Sequence, residues 1–178
     1  MDTYARMAGD TDSYVYLAAV QGLAALADAL PGWCIPRLVA LFSMARAAPL
    51  PLSQRLKIGE AVVLSARRCG EAMPKYARFY INAFVAAARE RAGAVGGEDS
   101  LESRERYHFR ASCLSNLAEV CQLLRWSLGR SSQDVVGLGV GILLMETASS
   151  EEAVLARRGA AFLLGRLLKG AGEDVLQV

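Results

Sequence analysis

His108 and Ser112 stand four residues apart, a spacing that on a helix sets an imidazole beside a hydroxyl. A base next to a hydroxyl is the start of a nucleophilic site, but the chemistry also needs an acid to orient the base and donors for an oxyanion. The sequence offers neither an Asp partner nor a nucleophile elbow, so the two residues are read as structural and no catalytic residue is assigned. Cys34, Cys69, Cys113 and Cys121 include no CxxC pair. With a single His, and with Cys113 and Cys121 two turns apart, they form no zinc chelate. No metal ligand is assigned, and the cysteines read as reduced, small core residues of an intracellular protein. Gly137-Leu-Gly-Val-Gly141 has the look of a phosphate-cradling loop but lacks the preceding strand and the later Gly, Lys and acidic partners. Close helix packing through Gly137 and Gly141 is the better account, and no cofactor or cofactor-binding residue is expected.

Arg67-Arg68, Arg104, Arg106, Arg110, Arg157-Arg158 and Arg166 could make a basic groove for nucleic acid. Acids such as Glu60, Glu105 and Glu119 are at hand to pair with them, aromatic residues are sparse among them, and the formal net charge is only +2. A ladder inside the fold, or a rim for an acidic protein segment, suits these arginines better.

These side chains must be carried by helices. Residues of the AVILMFWYC set make up 53% of the chain and aromatic ones only 7%, a bias towards Ala, Leu and Val that lacks the β-branched and aromatic alternation of a sheet protein. Asp10-Thr-Asp-Ser supplies cap chemistry for a helix from Tyr14 to about Leu30. A second runs from Trp33 to Ala45 with Ile35, Leu38, Val39 and Phe42 inward and Pro36 near its first turn. A linker with two prolines, 47–52, leads to Ser53 as the cap of a helix from Arg55 to Ala72. Pro74 opens the next, with Phe79, Ala83, Phe84 and Ala87 inward. Residues 92–102 are rich in Gly and acids and read as a mobile loop. Further helices are expected from about 100–104 to 124, from Ser131, and from Ser149 to Lys169-Gly170. The longest apolar run, Val135 to Met145, is shorter than the ~20 residues of a membrane span. The opening residues lack the order of a secretory signal.

Four segments align: 15–23, 56–64, 109–117 and 156–164. Their fourth column is small (Ala18, Gly59, Ser112, Gly159) and their ninth is leucine (Leu23, Leu64, Leu117, Leu164). The anchors are spaced by 41, 53 and 47 residues, around the ~40–47 of HEAT and armadillo units. Three segments carry a base beside the anchor, Lys57, Arg110 and Arg157-Arg158, where the first has Tyr16. The expected fold is all-α, an α-solenoid of HEAT/armadillo-like hairpins over residues 1–178, in about four units.

The wording of the repeats adds a resemblance. Asp12-Ser-Tyr-Val-Tyr-Leu17, Val20-Gln-Gly-Leu23, Lys57-Ile-Gly-Glu-Ala61 and Arg110-Ala-Ser-Cys-Leu-Ser-Asn-Leu-Ala-Glu-Val-Cys121 resemble the C-terminal HEAT-repeat region of the transport and Golgi organisation protein 6 family. Its fungal relatives are described as assembly and nuclear-import factors for RNA polymerase II. The resemblance spans roughly residues 10–170 and implies a C-terminal fragment of a longer solenoid. It further implies a non-catalytic scaffold whose partners are other proteins, either RNA polymerase II subunits or trafficking factors. A cytoplasmic location follows from it, with shuttling to the nucleus or peripheral association with the secretory pathway. The alternative is a nucleic-acid-binding helical-repeat module.

Overall fold

The computed structural model describes residues 1–43, 50–90, 101–129, 131–147 and 149–171. Among them every regular element is helical. The helices are α1 (Asp2–Met7), α2 (Ser13–Ala29), α3 (Pro31–Phe42), α4 (Leu52–Arg68), α5 (Met73–Arg89), α6 (Leu101–Leu124), α7 (Ser131–Met145) and α8 (Glu151–Ala171), with 3-10 turns at Gly70–Ala72 and Arg125–Leu128. Of the loop expected at 92–102, residues 92–100 lie outside the described part, and Leu101 and Glu102 already belong to α6. Residues 47–49 of the proline linker also lie outside it.

Contacts divide the chain into two units, Met1–Ala83 and Phe84–Val178, and the division falls within α5. In the first unit α2 packs on α3 and α4, α3 on α4, and α1 on α2. Ala19, Val20, Leu23, Ala24 and Ala27 are the buried face of α2, at the steps of three and four that a helix requires. Tyr4 of α1 lies over Gly22, where a Cβ would come within 2.6 Å of its ring, and Gln54 Nε2 donates to the Ala5 carbonyl at 2.6 Å. The opening residues are thus helical and docked, although six residues are too few to show a periodicity.

The N-cap of α2 is Asp12, whose Oδ1 accepts from the Tyr14 amide at 2.8 Å. Ser53 is no cap: α4 starts one residue before it, with Pro51 at the N-cap position. Helix α3 starts at Pro31, so Pro36 lies inside it, beyond the first turn, where its missing N–H leaves the Gly32 carbonyl without its i+4 donor. On α5 the expected Ala83, Phe84 and Ala87 are buried together with Met73, Tyr76, Ala77, Tyr80, Ile81 and Ala88, whereas Phe79 is exposed. Tyr80 can be fully buried because Ser65 Oγ lies 3.1 Å from its hydroxyl, and an aromatic ring with its polar end satisfied out-competes a neighbour rotated by 100°.

In the second unit α6 packs along α8, and α7 also lies against α8. The buried positions of α8, Ala153, Ala156, Ala160, Leu163 and Leu167, recur at three and four, and the alanines let α6 come close. Gly159 is at that contact, since a Cβ there would meet Leu114 Cδ1 at 3.1 Å. The small column is not uniform, however: Gly59 is buried and Ser112 and Gly159 are half-buried, but Ala18 is exposed.

Helix α6 ends where Arg125 adopts φ +46° and Gly129 φ +51°. A left-handed conformation costs an L side chain roughly 1–2 kcal/mol, part of which a glycine would give back as unfolded-state entropy. Arg125→Gly is therefore expected to raise the unfolding free energy by up to ~1 kcal/mol, read as a higher urea midpoint with an unchanged slope.

Candidate protein-interaction cleft

Every α-helix ends with carbonyls that have no partner within the helix. Three arginines supply one in the same way for three successive helix pairs. Arg55 of α4 donates from Nε to the carbonyl of Phe42, the last residue of α3, at 2.8 Å. Arg110 of α6 donates from Nε to the Ala88 carbonyl at the end of α5, at 3.0 Å. Arg157 of α8 donates from Nη1 to the Glu146 carbonyl just past α7, at 2.7 Å. A cation at the negative end of a helix also has the favourable sign. Arg110 and Arg157 come from the aligned column of bases, and each makes its main-chain tie within its own helix pair rather than to a neighbouring one. In α4 the rung is Arg55, two residues before the aligned Lys57. Lys57 instead donates from Nζ to the Asp10 carbonyl at 2.7 Å and stands 4.2 Å from the Tyr16 ring centre.

Arg110 also pairs through Nη1 with the Glu146 carboxylate. The pair closes one side of a cleft of about 400 Å³ within the second unit. Its walls are Arg89, Glu90, Arg106, Tyr107 and Arg110, and the α7 side is Gly137, Leu138, Gly141, Ile142 and Met145. Here the glycine run takes on a role opposite to the one expected. A Cβ on Gly137 or Gly141 would meet nothing within 4 Å, so neither packs against a helix. The middle glycine, Gly139, does: its Cβ would lie 2.8 Å from Leu164 Cγ. Two residues along a helix is a rotation of about 200°, which puts the outer glycines on one side and the middle one on the other. Beyond the cleft α7 exposes Val140, Leu143 and Leu144, the last at 72%, and Met145 of the lining is itself 73% exposed.

The remaining candidates fall apart. His108 is exposed on α6 and Ser112 half-buried. Among the described residues no group of His, Cys, Asp and Glu side chains could hold a metal ion. Likewise none of their helices is long and apolar enough to cross a membrane. Of the arginines, Arg68 donates to Gln21 Oε1 at 3.0 Å and Arg166 to Gln122 Oε1 at 2.8 Å, while Arg67, Arg104 and Arg158 are exposed. In the second unit Arg106 and Arg110 line the cleft, which is the portion of the basic set that shares a site with Arg89.

Cys34, Cys113 and Cys121 are buried and Cys69 is half-exposed beside the Tyr80 hydroxyl, at 3.4 Å. Burial pushes the Cys121 thiol up to about 12, and it raises the Tyr80 hydroxyl as well, with the Cys69 contact adding to the rise. Iodoacetamide at pH 8 is expected to modify Cys69 in the native protein and all four cysteines in urea, as read by intact mass. The raised Cys121 value also fixes the sign of the alkaline response. Its contribution to stability is complete below the unfolded thiol's pKa and is lost as the pH rises towards about 12, so the urea midpoint falls over that range.

The described elements define an all-helical protein whose helix ends are tied by arginines and whose cleft is lined by guanidinium groups, apolar side chains and bare glycine backbone. No solved structure matches the chain. Residues 1–72, from α1 through the 3-10 turn after α4, match the family described as required for nuclear transport of RNA polymerase II, C-terminus 1. Over these residues the match fits the resemblance to RNA polymerase II assembly and nuclear-import factors read from the sequence.

Proposed function

We propose that the chain is a non-catalytic, protein-binding scaffold acting in assembly or nuclear import of RNA polymerase II, built as an α-solenoid of HEAT/armadillo-like helix pairs. The family match over residues 1–72 carries this reading. The arginine tie shared by the α3–α4, α5–α6 and α7–α8 pairs supports the repeat. The uncovered apolar side of α7 supports a protein partner. In this reading the chain works in the cytoplasm and shuttles to the nucleus. The association with Golgi organisation and secretion rests on the sequence resemblance alone.

The alternative, a nucleic-acid-binding helical module, is disfavoured by where the arginines are spent. Arg55, Arg110 and Arg157 hold main-chain carbonyls, and Arg68 and Arg166 hold glutamines. Affinity purification of the tagged chain from nuclease-treated cell extract tests the proposal. Recovery of RNA polymerase II subunits is the expected outcome, and recovery that disappears with nuclease refutes it.

A further inference from the structure

Resting on the reading of the chain as a protein scaffold, we propose that the cleft between α5, α6 and α7 takes an acidic segment of a partner protein. One carboxylate of the segment meets Arg110 and Arg89, and a neighbouring apolar side chain lies over Gly137 and Gly141. Four observations carry this. Arg110 is held at two points, Nε on the Ala88 carbonyl and Nη1 on Glu146, so its guanidinium is fixed in place at the cleft. A donor fixed before binding loses little freedom when a carboxylate arrives. Among the described lining residues the guanidinium groups of Arg89, Arg106 and Arg110 outnumber the carboxylates of Glu90 and Glu146, a net positive charge that suits an acidic segment. The α7 side is apolar, and its two glycines leave open the space that side chains would fill. The cleft's volume of about 400 Å³ falls among pockets that hold small ligands, typically ~300–1,000 Å³. A nucleic-acid strand is the poorer fit, because among the described residues Tyr107 is the one aromatic side chain in the lining and single strands are held by stacking on several.

Fluorescence anisotropy on the full chain tests the proposal with a labelled peptide, Asp-Glu-Leu-Phe-Asp-Glu, and its uncharged counterpart, Asn-Gln-Leu-Phe-Asn-Gln. The acidic peptide is expected to bind, and the uncharged one at least ~10-fold more weakly, as the loss of one charged contact of ~1.4 kcal/mol or more implies. Arg89→Glu and Gly141→Leu are each expected to weaken the acidic peptide by a similar factor. Gly141 has open space around it and Arg89 is exposed, so both variants are expected to stay folded, with Gly141→Leu melting no lower than wild type by circular dichroism. The proposal is overturned if the acidic peptide does not bind, if both variants bind it like the wild type, or if Arg89→Glu loses a labelled oligothymidylate instead. Subunit recovery without any peptide binding would remove the cleft and leave the scaffold reading intact. Peptide binding without subunit recovery would do the reverse.

Discussion

Arg55→Ala is expected to lower the unfolding free energy of the Met1–Ala83 unit by about 3–5 kcal/mol, the scale of a large-to-small core truncation joined to a buried carbonyl left without its donor. The side chain is 0% exposed, donates to the Phe42 carbonyl and sits 5.5 Å from the Phe42 ring centre. Alanine leaves that carbonyl without this donor and opens a cavity at the α3–α4 corner, and both effects destabilise. Two further variants separate them. Arg55→Met keeps most of the volume and removes the charge and the donor, so it recovers the cavity part alone. Arg55→Lys keeps a charge but cannot reproduce the planar fork, and falls between the two. Urea unfolding followed by Trp33 fluorescence, in a Trp126→Phe background, reads the first unit. An Arg55→Ala midpoint equal to wild type would mean that the helix-end tie carries no stability.

How much of this was legible follows from what each residue does. Arg110 and Arg157 stood out because the same base recurs beside the same small anchor, and both make the rung contact. Arg55 did not, because the alignment was set by the small and leucine columns, which put Lys57 in its place. A shift of two residues turns a side chain to the other side of its helix, and only the packing of α4 on α3 reveals which base reaches Phe42. Helix positions were readable to within a few residues where caps and periodicity agree, as at Asp12 and at Ser150, whose Oγ accepts from the Ala153 amide at 3.2 Å. They failed where length or chemistry overrode the pattern, in six-residue α1 and at Phe79, displaced by the hydrogen-bonded Tyr80. The cleft itself was hidden, because a glycine in a helix reads equally well as a contact or as a gap. The neighbour decides between them, and the neighbour comes from another part of the chain.

That distinction gives the second large effect. Gly139→Leu is expected to destabilise the Phe84–Val178 unit by about 1–3 kcal/mol or more, the usual cost of overpacking a tight contact. A Cβ at this position already falls 2.8–2.9 Å from Leu164 Cγ and Cδ2, and the branch point of a leucine cannot swing aside as a chain end can. Leu164 is itself half-buried on α8, so making room means displacing α7 from α8 rather than turning one side chain into solvent. The flanking glycines supply the control on the same helix. Gly137→Ala and Gly141→Ala meet no atom within 4 Å and remove the conformational freedom that glycine brings to the unfolded chain, so each should stabilise by about 0.5–1 kcal/mol. Urea unfolding of the three variants should therefore split by sign, with Gly139→Leu below wild type and the other two above it. If all three shift the same way, α7 does not present Gly139 to α8 and Gly137 and Gly141 to the cleft, and the site built on that register falls with it.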